Sequence, residues 1–73
     1  MPNHAVRSEI TGTVCQVLVA EGDAVAEDQA LLMVESMKME IPVIAPRAGR
    51  VTKVHVNVGD PIGEGEDAVS LDT

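Results

Sequence analysis

An all-β fold, flattened and closed by two half-domains that repeat each other, is what this 73-residue chain predicts. Three observations carry that expectation. The apolar fraction is 45% without a single aromatic residue, and twelve valines dominate it; a side chain branched at Cβ packs well on a pleated, half-buried surface and is stiff in a helix. Turn residues punctuate short apolar runs, at Gly22-Asp, Pro46 to Gly49, Gly59-Asp-Pro, Gly63 and Gly65, which is the rhythm of a sandwich or barrel. Finally, a shift of 37 residues lays Gly12-Thr-Val-Cys-Gln-Val-Leu-Val-Ala-Glu-Gly-Asp on Gly49-Arg-Val-Thr-Lys-Val-His-Val-Asn-Val-Gly-Asp without a gap.

The repeat keeps Gly12/Gly49, Val14/Val51, Val17/Val54, Val19/Val56, Gly22/Gly59, Asp23/Asp60 and Glu27/Glu64 identical, while Val25/Ile62, Leu32/Val69 and Val34/Leu71 stay apolar. Solenoids need about three or more units. Two units must therefore close on each other, and one domain spanning residues 1–73 is expected because so short a chain has no room for a second core.

Eight strands follow, at about 5–9, 13–19, 24–26, 30–36, 39–44, 50–57, 61–63 and 67–72. The second and sixth read Val-x-x-Val-x-Val, which breaks alternation between the first two valines and predicts a bulge there. The third and seventh are short runs after the paired Gly-Asp turns, whose Gly22 and Gly59 are expected at positive φ. The fourth and fifth form a hairpin that local turn chemistry does not mark, since Leu31 to Ile44 holds no Gly, Asn or Asp. The repeat marks it instead: Glu35-Ser36 aligns with Asp72-Thr73, so the first unit ends there and the second begins near Lys38. A single fourteen-residue strand over the same stretch is the rival, and it is long for a strand. A two-fold relation between the units also sends both chain ends to the side opposite Lys38.

Charge and single residues remove several function classes. Twelve acidic against five basic residues give a net charge of −7, which argues against nucleic acid, whose phosphates need clustered cations. No basic segment followed by an apolar one opens the chain, and no 18-residue apolar run exists, so neither secretion nor membrane contact is expected and the location is expected to be cytoplasmic. Cys15 is the one cysteine and aligns with Thr52; it is expected as a buried or half-buried strand residue, with no disulfide. His4 and His55 are isolated, and His55, aligned with Leu18, is expected half-exposed on a strand. No Cys/His cluster has metal-ligand spacing and no Gly-rich phosphate loop appears, so neither a metal site nor a catalytic site is expected.

Lys38 remains. It and Lys53 are the only lysines, and Lys38 stands between Met37 and Met39 at the predicted tip. An ordinary lysine, with a pKa of about 10.4, leaves roughly one amine in a few thousand unprotonated near neutral pH. Catalytic lysines are desolvated or set beside another cation, whereas Lys38 has Glu35 and Glu40 close in sequence. It is a poor catalyst and a suitable substrate, and flexible methionines at an exposed tip suit an adaptable contact.

At these residues the chain resembles the biotin/lipoyl attachment domain family, above all biotin carboxyl carrier proteins and the biotinyl domains of biotin-dependent carboxylases. The resemblance spans Gly12-Thr-Val, Glu21-Gly-Asp, Glu35-Ser-Met-Lys-Met-Glu-Ile, Ala45-Pro, Gly49-Arg-Val and Val58-Gly-Asp. It implies a flattened barrel-sandwich of two four-stranded antiparallel sheets with quasi-two-fold symmetry. It also implies covalent biotin on Lys38, Met37 and Met39 as flanks read by biotin protein ligase, and Glu35 as a ligase contact. The partners implied are that ligase, a biotin carboxylase and a carboxyltransferase, between which a non-catalytic carrier shuttles carboxylate. Gly12, Gly22, Asp23, Gly49, Gly59 and Asp60 match structural turn positions. Departures are Glu9 where proline is frequent, Asp28 where glycine is frequent, and Ser36 for alanine. The short loops leave no room for the protruding thumb of some carriers, and Met1-Pro2 favours a free-standing chain. Alternatives are a lipoyl carrier, which usually shows Asp-Lys-Ala, and an unmodified lipoyl-like structural or adaptor module.

Overall fold

A computed structural model describes residues 3–73, so Met1 and Pro2, on which the free-standing expectation rests, lie outside the described residues. Eight strands form: β1 Asn3–Arg7, β2 Gly12–Val17, β3 Ala24–Val25, β4 Ala30–Ser36, β5 Met39–Ile44, β6 Gly49–Val54, β7 Pro61–Ile62 and β8 Asp67–Asp72. They build two antiparallel four-stranded sheets, in the orders β1-β8-β6-β3 and β5-β4-β2-β7. Adding 37 to each strand of the first unit converts one order into the other, so the duplication is the quasi-two-fold of the fold.

The matched turns repeat atom for atom. The Gly22 amide donates to Val51 O and the Gly59 amide to Val14 O, both at 2.7 Å. Asp23 and Asp60 each accept from the amide three residues back, Ala20 and Asn57, at 2.9 Å. Gly22 and Gly59 both stand at φ 95°, a conformation that costs glycine nothing. Bulges fall between Val14 and Gln16 and between Val51 and Lys53, inside the Val-x-x-Val steps.

Inward side chains from both sheets make one core. Val14, Leu31, Leu32, Val34, Val51, Ile62, Val69 and Leu71 are at most 2% exposed, and each such side chain contributes about 1.5–3 kcal/mol on burial.

The expected barrel does not close. β1 and β5 are the edges of their sheets and share no ladder; a groove of about 200 Å³ lies there, lined by Arg7, Glu9, Ile10 and residues 41–44. Pro42, in the middle of β5, has no N–H to offer a neighbouring strand. On the other side β3 and β7 are two residues each, too short to bridge. The result is a flattened open sandwich. Smaller corrections have the same origin. β1 lies at Asn3–Arg7 instead of 5–9, because Ser8 leaves the ladder to bond its Oγ to Ile10 O at 2.6 Å. β2 and β6 stop at Val17 and Val54, and His55, whose amide still donates to Ala68 O at 2.9 Å, lies one residue beyond its strand, exposed. Gly12 and Gly49 open strands and are not turn glycines. A Cβ on Gly12 would collide with Glu35 O and come within 2.8 Å of Val34 Cγ1, and one on Gly49 would meet Asp72 O at 2.8 Å.

Candidate functional site

β4 and β5 meet in the hairpin that the repeat located. Their ladder runs Met33↔Pro42, Val34↔Ile41, Glu35↔Glu40 and Ser36↔Met39, which leaves Met37 and Lys38 as the two loop residues. Their φ values are 53° and 64°. A two-residue loop with both residues left-handed is the hairpin connection whose twist matches the strands, and it ordinarily selects Asn-Gly. Here a methionine and a lysine accept it, each at a cost of about 1–2 kcal/mol. The ladder that holds this strained turn is in register from Leu32 to Ser36 and shifts between Ala30 and Leu32, at its far end.

The presentation is complete. Met37 is 92% exposed and Met39 63%, and Lys38 is exposed between them. Among the described residues the ion pair that forms is Arg7 to Asp67, at 3.2 Å, so the Lys38 ammonium stays free of a carboxylate clamp. Glu35 and Glu40 face each other directly across the ladder, an arrangement of like charges that costs stability. Cys15, from the bulge of β2, points onto the same face with Sγ 3.4 Å from Met33 O and 3.9 Å from Glu40 Oε2. Cys15 is half-buried, as expected of a strand residue, and burial, and next the Glu40 carboxylate, push its thiol pKa up.

The structure thus gathers Glu35, Met37, Lys38 and Met39, the four residues singled out in the sequence, on one tip. Glu40 was not singled out with them; its signal was the register, which pairs it with Glu35. Gly12 supports the same tip by letting β2 pass close under Glu35. Lys53, the other lysine, sits in β6 of the opposite sheet. Asn3 and Asp72, near the two ends of the described residues, lie away from the tip: β2 leaves the tip beside Glu35, and the chain reaches Ala24 opposite Arg50, which itself faces Asp72 in the ladder with Asn3. Among the described residues no cluster of three His, Cys, Asp or Glu could hold a metal ion, and no helix is long and apolar enough to cross a membrane.

Comparison with known proteins agrees with this geometry. The family profile described as "Biotin-requiring enzyme" matches residues 1–71. The biotinylated protein TB7.3 homolog of Mycobacterium leprae is 52% identical over 61 residues, which are 84% of this chain and 86% of that protein. The mitochondrial propionyl-CoA carboxylase alpha chain of Homo sapiens is 43% identical over 67 residues, 92% of this chain and 9% of that one. Among solved structures, the urea carboxylase of Kluyveromyces lactis superposes with a TM-score of 0.92 at 28% identity, over 99% of this chain and 6% of that chain. The chain therefore spans most of one relative and a small part of the large carboxylases it matches.

Proposed function

The chain belongs to the biotin/lipoyl attachment domain family, a family of carriers that are not themselves catalysts, and we propose that it is a biotin carboxyl carrier whose residues 1–73 form a single biotinyl domain. Lys38 is the attachment site. The observation that carries this reading is the Met37-Lys38 loop: a strained two-residue turn that holds one amine, free of ion pairing, at the outermost point of a rigid sheet.

The residues present fit the group. An amide joins Lys38 Nζ to the biotin carboxyl carbon with net loss of water, in a reaction that ligase couples to ATP, and the amine must be reachable for it. Met37 and Met39 offer soft apolar contacts on either side, and Glu35 adds an anionic one for the ligase. Acylation removes the Lys38 charge from a chain of net charge −7. When bound, biotin supplies a ring nitrogen that accepts and releases carboxylate. This chain supplies a stiff platform, and the tether gives a high local concentration at the biotin carboxylase and at the carboxyltransferase. The name of TB7.3 homolog, a biotinylated protein of similar length, supports the reading, and so does the propionyl-CoA carboxylase likeness. A cytoplasmic location belongs to the same proposal.

The test is parallel incubation of the chain with biotin ligase plus biotin and with lipoyl ligase plus lipoate, each with ATP, read by intact mass. Biotin incorporation should far exceed lipoate. Met37→Asp with Met39→Ala should move the preference toward lipoate. Equal incorporation by the parent refutes the biotin assignment, and none at all places the unmodified adaptor module first.

A further inference from the structure

β1 and β5 are counterparts in the duplication, because a shift of 37 carries residues 3–7 onto 40–44. The quasi-two-fold therefore passes through the open seam between them, and two grooves lie along that seam. One, of about 200 Å³, has Ile10, Ile41 and Pro42 in its wall. The other has His4, Ala5 and Pro46, and Arg7, Glu9 and Ile44 border both. His4, Ala5 and Pro46 are the counterparts of Ile41, Pro42 and Glu9. The same backbone thus accepts a bulky apolar wall in one groove and a smaller, more polar one in the other, so folding does not dictate the difference. Nor does it call for Glu9, which stands where its counterpart is proline and makes no ion pair among the described residues.

The apolar groove is the one on the side of Lys38. Ile10 stands two residues before Gly12, which passes close under Glu35 at the base of the tip. Pro42 lies about 13 Å along β5 from Lys38. The lysine side chain and the valeryl chain of biotin together span about 14 Å when extended. His4 faces Leu71 in the other groove, one step from Asn3 opposite Asp72, and so belongs to the far half.

We propose that the groove of Ile10, Ile41 and Pro42 is a resting site for the bicyclic ureido ring of the biotinyl group on Lys38. The chemistry selects this occupant. The ring's sulfur-bearing hydrocarbon part suits the apolar wall, Glu9 accepts from its N–H groups, and Arg7 donates to its carbonyl. Arg7 engages Asp67 through Nε alone, which leaves its terminal N–H groups for that contact. The volume is below the roughly 300–1,000 Å³ of pockets for drug-sized ligands and suits a fragment of this size. An added peptide strand would find no N–H on Pro42, and an anion would meet the Glu9 carboxylate. A short flexible tether gives a millimolar effective concentration, so even a weak site fills. This inference rests on the reading that Lys38 is biotinylated.

The experiment compares amide NMR spectra of the isotopically labelled chain before and after biotinylation by biotin ligase, then times the association of the biotinylated chain with avidin. Thermal melts confirm that each variant folds. Biotinylation of the parent should shift the amides of Glu9, Ile10, Ile41 and Val43 as well as those of residues 36–40. Glu9→Ala with Ile41→His, which gives the groove the far half's chemistry at position 41, should confine the shifts to residues 36–40. Because only the released ring is captured, this double variant should associate with avidin about threefold faster than the parent. His4→Ile, in the far groove, should match the parent in both measurements. Shifts confined to residues 36–40 in the biotinylated parent, or equal avidin rates for the parent and the double variant, overturn the resting site and leave the biotin reading intact. A parent that ligase never modifies fails the biotin reading, and the resting site fails with it.

Discussion

Replacing Met37-Lys38 by Asn-Gly should make the domain more stable while abolishing its proposed use. Both residues stand at positive φ, 53° and 64°, where an L side chain costs about 1–2 kcal/mol. Glycine at position 38 recovers that amount but returns roughly 0.5–1 kcal/mol through the freedom it gains in the unfolded chain. Asparagine at position 37 tolerates the left-handed region and recovers about half of its share. The net gain is about 1–2 kcal/mol, or roughly 8 °C in Tm for a domain of this size. Packing losses do not offset it, because Met37 is 92% exposed. The chain has no Trp or Tyr, so the melt is followed by far-ultraviolet circular dichroism. An unchanged or lowered Tm in Met37→Asn/Lys38→Gly would refute the argument that the tip stores strain for presentation.

Three further outcomes follow from the same geometry. Asp28 stands at φ 69° where its counterpart Gly65 stands at 84°, so Asp28→Gly should raise stability by about 0.5–1 kcal/mol and Gly65→Asp should lower it, as urea midpoints at constant m would show. Gly12→Ala drives a Cβ into Glu35 O and Val34 and should cost about 1–3 kcal/mol, although neither Gly12 nor its counterpart Gly49 is a turn residue. The Cys15 thiol, pushed up by burial and by Glu40, stays protonated at pH 8, so iodoacetamide should label it more slowly than a free cysteine and Glu40→Gln should speed the labelling.

The repeat made the pairs legible: once Gly22 lay on Gly59 and Glu35 on Asp72, the turns, the bulges and the unmarked hairpin followed from counting. Lys38 and its flanks were legible for the same reason, since a join between two units has to turn. Closure was not. Whether β1 meets β5 depends on which backbone groups face outward at the two edges and on Pro42, and alternation along a strand says nothing about its outer neighbour. The strand ends were misplaced because regular pairing stops at Val17 and Val54 although the amides of Leu18 and His55 still bond to the neighbouring strand, and apolar patterning does not mark where a ladder ends. Glu40 was read only as an acidic neighbour of Lys38, because its pairing opposite Glu35 comes from register, a property of two strands together. Asp28 was visible as a departure from glycine, but its left-handed φ needed the structure.

The most direct measurement of the central claim compares Lys38→Arg with Lys53→Arg under biotin ligase, biotin and ATP, read by intact mass and avidin capture. Both variants keep the net charge of −7, and both side chains are exposed, so the fold is unaffected and only the position of the amine differs. Lys53→Arg should gain one biotinyl group and bind avidin as the parent does, and Lys38→Arg should gain none. Biotin appearing on Lys53 when Lys38 is absent, or avidin capture retained by Lys38→Arg, would contradict the claim that the strained hairpin is what selects the lysine.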